Sequence, residues 1–396
     1  MSNPDALARL RAMVLADEAL ADRLALIDDR GVFAAAAAEA ATAAGIGIAP
    51  DAIEAAARRD PLDLARFGQM PVTMTGWPGR NWLPVAIVDS PEQIAVEWLH
   101  FGDARLTESF FESSIARARW RPINALLRIR TPLADLVGTL PADAAPAPDG
   151  LIFHMSRCGS TLVAQMMASM PGVVTASEPE PLDAAVQLVH TRPDAPFEQR
   201  VALLRAMAAM IGRDRFGDRR HYVIKTDSWH SLALPLFRAA FPGTPWLFLF
   251  RDPTEVMVSQ RRVRGLQTVP GSMHDILFAI PDAHTLSVEE QIARVLNRVT
   301  RAAIDYADLG GGLFLDYADL PHAVERRVLP HFGIEPDADA LGALRAATQW
   351  NAKSPSFAFE PDAEEKRRSA GEAISAAVTD HLEESHRQLK ALAQRD

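Results

Sequence analysis

The segment LIFHMSRCGSTLVAQMM carries residue types that bind a phosphate or sulfate group. An apolar run typical of a buried strand leads into a tight turn, and a helical pattern follows it. Main-chain amides at a helix start favour a negative charge, and Gly159 lets the backbone approach a ligand closely. The turn adds further polar groups from Arg157, Cys158, Ser160 and Thr161. The segment therefore predicts an anion-binding loop over residues 156–161.

Two details of this loop bear on its chemistry. The ATP-binding pattern G-x-x-x-x-G-K-[ST] needs a lysine where Ser160 stands, so a nucleoside-triphosphate-dependent kinase is only an alternative. Arg157 and the helix start are expected to lower the pKa of the Cys158 thiol.

A second candidate anion site lies in FLFRDPTEVMVSQRR. Arg251 follows a buried-type strand, and Ser259 lies eight positions later in a helical pattern. Both side chains would converge on one phosphate at the carboxyl end of the strand, with the fork of Arg251 binding two oxygens. Two anion sites in one chain suit a ligand with two charged ends.

Together these motifs resemble the sulfotransferase superfamily. SRCGST resembles its 5′-phosphosulfate loop, and the spacing of Arg251 and Ser259 resembles its 3′-phosphate site. FLDYADLP and the tail from NAKSP resemble later family segments, so the resemblance covers roughly 150–390. The motif layout is most similar to that of tyrosylprotein-type and bacterial members. The resemblance implies an enzyme that uses 3′-phosphoadenosine 5′-phosphosulfate, forms 3′,5′-bisphosphoadenosine and needs no metal.

Four further residues are candidates for catalysis. Lys225, in YVIKTDSW, ends a buried-type strand and matches the family's catalytic lysine. Glu178, in TASEPEPLD, resembles the catalytic glutamate of tyrosylprotein-type members, and partial burial would raise its pKa toward the working pH. Cytosolic members have a K-T-H pattern, but this chain has Asp227 in place of the histidine. Asp227 is therefore a second candidate for the base, and His230 is a third.

Basic residues of the tail are candidates for the nucleotide site. Lys353, Lys366 and Arg367 would close over the 3′-phosphate or the adenine side. A solvated basic loop is the alternative interpretation.

The elements that position these residues follow an alternating pattern. From residue 151 onward, buried-type strands alternate with helices, which predicts an α/β fold with a doubly wound, mostly parallel sheet over 146–396. Residues 61–145 form a mixed, tryptophan-rich region that ends in a proline-alanine linker. Residues 1–60 predict three or four short helices, and this part resembles a Nif11-type leader segment.

Local signals mark helix ends in these first two regions. Gly31 and Gly45 are predicted to end helices, and Pro50 is predicted to begin one. Thr107 is predicted to cap a helix in LTESFFESSIARARW.

Composition excludes several classes of function. Hydrophobic residues make up 48% of the chain, which is typical of a folded protein. A length of 396 residues predicts two or more folding units. The net charge of −10 argues against a nucleic-acid partner, and no apolar stretch is long enough to span a membrane. One cysteine excludes an internal disulfide or a cysteine metal cluster, and the start lacks the apolar core of a signal peptide, so we expect the cytoplasm.

The acceptor is open at this point. The Nif11-like start favours a peptide or a carrier-linked substrate by analogy, and a small hydroxylated molecule is the rival. The acceptor atom would be a hydroxyl oxygen or an amine nitrogen. A non-catalytic peptide-binding protein is a further alternative.

Overall fold

The computed structural model describes residues 3–58, 71–89, 93–137, 140, 147–191, 194–273, 280, 282–358 and 363–395. The chain divides into two compact units. The first comprises Met1–Leu106, Phe111–Ala145 and Ala209–Gly217, and the second comprises Thr107–Phe110, Pro146–Ala208 and Asp218–Asp396. The predicted boundaries near residues 60 and 145 stay predictions, because 59–70 and 141–146 lie outside the described part.

The first unit begins with four helices, as the alanine-rich pattern predicts: α1 (Asn3–Ala16), α2 (Glu18–Ala25), α3 (Arg30–Ala43) and α4 (Pro50–Ala56). Gly31 does not end a helix, because the Asp29 side chain caps α3 and places Gly31 in its first turn. Gly45 follows α3 with a φ of 73°, and Pro50 begins α4, as predicted. The Nif11 resemblance of this region stays a prediction.

A four-stranded sheet completes the first unit, with the strand order β1-β4-β3-β2. Its strands are β1 (Val72–Thr73), β2 (Trp82–Asp89), β3 (Ile94–His100) and β4 (Ile129–Pro132). Three short helices accompany it: α5 (Phe111–Arg119), α6 (Pro122–Leu126) and α7 (Leu133–Val137). The predicted cap at Thr107 is wrong, because α5 begins only at Phe111 and Thr107–Phe110 belongs to the second unit.

The second unit is built on a five-stranded parallel sheet with the order β6-β7-β5-β8-β9. Its strands are β5 (Gly150–His154), β6 (Val173–Ser177), β7 (His221–Lys225), β8 (Trp246–Phe250) and β9 (Gly312–Asp316). Every residue of β5 and β8 is buried, which is why these strands read as continuous apolar runs. The predicted α/β fold with a parallel sheet is confirmed.

Helices and a small hairpin surround this sheet. The helices are α8 (Ser160–Ala168), α9 (Glu180–Thr191), α10 (Phe197–Ile211), α11 (Leu234–Ala240), α12 (Pro253–Arg262), α13 (Val288–Asp305), α14 (Leu329–His331), α15 (Ala338–Ala347), α16 (Ala363–Arg368), α17 (Glu372–His381) and α18 (Glu383–Ala393). The hairpin pairs β10 (Trp350–Asn351) with β11 (Ser354–Ala358). Among the described residues, no helix combines the length and apolarity needed to cross a membrane.

The strand order places the first strand of the sheet at its centre. After β5 the chain adds β6 and β7 on one side, and it then adds β8 and β9 on the other. In open parallel sheets, ligands bind beyond the carboxyl ends of the strands where the order reverses. The loops after β5 and β8 lie at this point, because these two strands are paired neighbours.

Candidate functional site

The loop after β5 has an unusual backbone conformation. Ser156, Arg157 and Gly159 have φ values of 75°, 52° and 91°, all in the left-handed region. Such values are rare for residues other than glycine and are retained mainly at functional sites. A Cβ atom on Gly159 would lie 2.6 Å from Cδ2 of Tyr317, so close packing also requires glycine there. Turns of this kind present successive amides to an anion, and α8 adds its N-terminus at Ser160.

The side chains of the loop are held in different ways. Ser160 and Thr161 are buried at the start of α8. Arg157 donates from Nη2 to the carbonyl oxygen of Val263 at 2.9 Å. Cys158 is fully buried, and its Sγ donates to the carbonyl oxygen of Leu249 at 3.1 Å.

The predicted lowering of the Cys158 pKa is wrong. Burial of the thiol raises its pKa to about 11, and this effect outweighs the attraction that the thiolate would feel from Lys225 and Arg251. The Cys158 thiol is therefore neutral, and it packs against β8.

Arg251 lies immediately after β8 and is buried. Its Nε and Nη2 atoms lie 2.6 and 2.5 Å from Oε2 of Glu255, and its guanidinium carbon lies 3.9 Å from the Tyr317 ring centroid. Ser259 lies partly exposed in α12, the helix that follows Arg251. The i,i+4 spacing of Glu255 was readable in the sequence, but its pairing with Arg251 was missed.

The two predicted anion sites lie side by side. The main-chain N–H of Arg251 donates to Sδ of Met155 at 3.3 Å. Gln260, the neighbour of Ser259, donates from Nε2 to Oγ of Ser156 at 3.0 Å. Tyr317 contacts both Gly159 and Arg251. The structure thus brings the loop after β5 together with Arg251 and the last turn of α12, at the carboxyl ends of the strands.

Lys225 and Glu178 form a buried pair, also at the carboxyl ends of the strands. Lys225 ends β7, exposes none of its side chain, and donates from Nζ to Oε1 of Glu178. Glu178 follows β6 with a φ of 50°, and its main-chain N–H donates to the Lys225 carbonyl oxygen at 2.7 Å. His154 Nε2 lies 3.3 Å from the same Glu178 carboxylate oxygen and 3.0 Å from the carbonyl oxygen of Thr226.

The electrostatics of Glu178 differ from the sequence prediction. Burial raises the pKa of Glu178, but the charge of Lys225 and the hydrogen bond from His154 together outweigh burial, so the pKa is lowered. The predicted rise toward the working pH is therefore wrong for this arrangement. Glu178 is ionised at neutral pH as long as Lys225 is its partner.

Asp227 and His230, the other candidates for the base, lie close together. Burial, together with the charges of Glu178 and Asp183, raises the pKa of Asp227 well above its ordinary value. His230 accepts from the Asp227 main-chain N–H at Nδ1, and its Nε2 lies 2.9 Å from Oδ1 of Asp183. Both ring nitrogens of His230 are thus engaged, whereas the raised pKa of Asp227 favours its protonated form.

These residues also form a group that the sequence did not reveal. One ligand atom each from Asp183, Asp227 and His230 lies within 4.8 Å of the others. Asp183 Oδ1 also accepts from Nε1 of Trp229 at 2.6 Å. Asp183 Oδ1 thus lies within hydrogen-bond distance of both Trp229 and His230.

The tail residues divide between two places. Arg367, in α16, lies with its Nε 3.4 Å from Oε1 of Glu255, the carboxylate that holds Arg251. Lys366 is buried in the same helix. Lys353 instead lies in the β10–β11 turn and interacts with the charges of Arg157 and Lys225, on the side of the loop after β5.

No family model and no curated protein matches this chain. Several solved structures are similar to it, among them three sulfotransferases. A sulfotransferase domain from the curacin biosynthetic pathway is 15% identical, with a TM-score of 0.36 over 63% of this chain and 98% of that domain. A sulfotransferase from Alicyclobacillus acidocaldarius is 16% identical, with a TM-score of 0.35 over 64% of this chain and 98% of that one. A sulfotransferase from Mycobacterium avium is 12% identical, with a TM-score of 0.34 over 60% of this chain and 77% of that one.

Proposed function

We propose that this chain transfers a sulfuryl group from 3′-phosphoadenosine 5′-phosphosulfate to a hydroxyl or amine acceptor. The observation that carries the proposal is the contact between the two anion sites. The loop after β5 contacts Arg251 through Met155 and the last turn of α12 through Gln260, so a ligand with two anionic ends would meet both. The acceptor is a peptide or a small molecule.

The residues present fit such a donor. The loop after β5 combines left-handed backbone, a helix start and two hydroxyls, which suits the phosphosulfate end. Arg251 and Ser259 suit the 3′-phosphate, and Arg367 lies close to the carboxylate that holds Arg251. The bound donor would supply the sulfuryl group and a bisphosphate leaving group.

Lys225 and Glu178 would divide the work of the reaction. An anion bound at the loop attracts the Lys225 ammonium and competes with Glu178 for it. When that pairing weakens, burial remains as the main effect on Glu178 and raises its pKa. The carboxylate then becomes a better proton acceptor at the moment when the ammonium is needed to neutralise charge. Asp227 is the alternative base, because its pKa is already raised.

Ligand-induced thermal stabilisation tests this proposal. The bisphosphate product at 100 times its dissociation constant should stabilise the protein by about 2.7 kcal/mol without magnesium. For a unit of this size the stabilisation corresponds to a rise in Tm of about 5–10 °C. Magnesium-ATP should give a much smaller rise, because Ser160 replaces the lysine that a kinase needs. A larger effect of magnesium-ATP would favour the kinase, and no effect of either nucleotide would contradict both.

A further inference from the structure

The turn between β10 and β11 is fixed beside the candidate site by a chain of hydrogen bonds. Asn351 Oδ1 accepts from the main-chain N–H of Lys353 at 3.0 Å, which shapes the turn. Ser109 Oγ donates to the carbonyl oxygen of Ala352 at 2.5 Å. The carbonyl oxygen of Ser109 accepts from Oγ of Ser177 at 2.8 Å. Since Ser177 precedes Glu178, two hydrogen bonds separate the turn from the end of β6.

The same short segment reaches Lys225. Phe110 follows Ser109, and its ring centroid lies 5.0 Å from Nζ of Lys225. Segment 109–110 therefore contacts the Lys353 turn through Ser109 and the buried ammonium through Phe110. Lys353 follows Ala352 directly and therefore lies in the part of the chain that segment 109–110 connects to Lys225, and its predicted role at the 3′-phosphate or the adenine side stays a prediction.

Charged groups of both signs act on Lys353. Arg157 from the loop and Lys225 from β7 act on it, and Glu178 and Cys158 act in the opposite sense. The Lys353 side chain is exposed at the surface, but surrounding protein removes part of its hydration. This desolvation is the largest effect on Lys353, and the charges of Arg157 and Lys225 add to it. Together they lower the pKa of Lys353 to about 8.

The cations outnumber the anions in this cluster at neutral pH. Glu178 is already shared with Lys225, and Cys158 is neutral because its thiol pKa is raised. Three cations that crowd one loop repel one another, and an anionic ligand relieves that repulsion.

We propose that Lys353 binds the anionic group held by the loop at residues 156–161, as a third cation beside Arg157 and Lys225. The inference rests on the proposed function in one respect, since it takes that group to be the phosphosulfate end of the donor. Lys353 then joins the site from a part of the chain about 200 residues from the loop.

The chain offers a direct readout, because it contains only four lysines. Reductive ¹³C-methylation labels reactive lysines without removing their charge, and Lys→Arg variants assign the signals. The Lys353 signal should titrate near pH 8 in the free protein and at higher pH with 3′,5′-bisphosphoadenosine. Lys390 is the matched control, because its Nζ is paired with Asp316 at 2.6 Å. The Lys390 signal should not respond to the nucleotide.

Substitution of Lys353 gives a second test, with opposite effects on stability and on ligand binding. Lys353→Met should raise Tm without ligand at pH 7, because it removes like-charge repulsion. The same change should weaken bisphosphate binding about tenfold or more, since it removes a charge-assisted contact. Lys353→Arg should retain most of the affinity, and Lys390→Met should leave it unchanged.

The outcomes separate this inference from the proposed function. If the bisphosphate binds but neither the Lys353 titration nor the Lys353→Met affinity changes, the inference is refuted and the function stands. If inorganic sulfate raises the Lys353 pKa while the bisphosphate does not bind, the anion site stands and the function fails. If neither probe alters Lys353, and neither binds, both are overturned.

Discussion

Replacing Lys225 with methionine tests the buried pair at the centre of the site. Methionine has a similar length but no charge, so Lys225→Met leaves the Glu178 carboxylate without its main partner. Removing one member of a buried ion pair costs about 3–5 kcal/mol. A quarter of the Glu178 side chain is exposed, so we expect the lower end, about 3 kcal/mol at pH 7.

The loss should depend on pH in a defined direction. In the native protein the Glu178 pKa is lowered, so the pair stabilises the fold above the carboxyl's ordinary pKa and this contribution fades as pH falls. In Lys225→Met, burial raises the pKa of Glu178 above its ordinary value, so the ionised carboxylate destabilises the fold as pH rises. The difference between the two proteins should therefore be largest at neutral pH and shrink toward pH 4.

Urea unfolding at several pH values, followed by tryptophan fluorescence, measures this difference. Adding Glu178→Gln to Lys225→Met should recover much of the lost stability, because no buried charge is then left unpaired. Arg387→Met is the control for loss of an exposed pair, the one with Glu384, and it should leave the stability almost unchanged. A double variant no more stable than Lys225→Met, or a loss that is independent of pH, would refute the reasoning.

Three further experiments probe the site. Arg251→Ala should weaken the 3′,5′-bisphosphate about 10–100-fold, with little effect on a nucleotide that lacks the 3′-phosphate; titration calorimetry with both would reveal equal losses if the assignment is wrong. Glu178→Gln should lower turnover about 10²–10⁴-fold if Glu178 is the base, and a loss of that size in Asp227→Asn alone would move the role to Asp227. Cys158 should react with iodoacetamide only after unfolding, because it is buried and its pKa is about 11; rapid labelling of the native protein at pH 7 would contradict its placement.

The sequence predicted the sheet well where the strands are apolar throughout. β5, β7, β8 and β9 were readable because nearly all of their residues are buried and apolar. β6 was missed, because VVTAS ends in small and polar residues. The helix start predicted at Thr107 was also wrong. Threonine is a good capping residue, but Thr107–Phe110 belongs to the second unit and α5 begins only at Phe111.

The candidate site was predictable in its two loops and unpredictable in their surroundings. Spacing along the chain suggested that Arg251 and Ser259 lie in one strand–helix unit, and pairing of β5 with β8 places that unit beside the first loop. The burial of Cys158 and the pairing of Glu178 depend on contacts between distant segments, which no local pattern encodes. The position of Lys353 depends in the same way on Ser109.

The aromatic ring of Tyr317 has a consequence for how a ligand would be sensed. One side chain borders both Gly159 and Arg251, so the two ends of a bound nucleotide would share a single neighbour. A ligand that shifts the ring at one end changes the surface offered at the other, and linkage makes that influence equal in both directions. The binding free energies of the two halves of the nucleotide, measured separately, should then not sum to the binding free energy of the whole nucleotide.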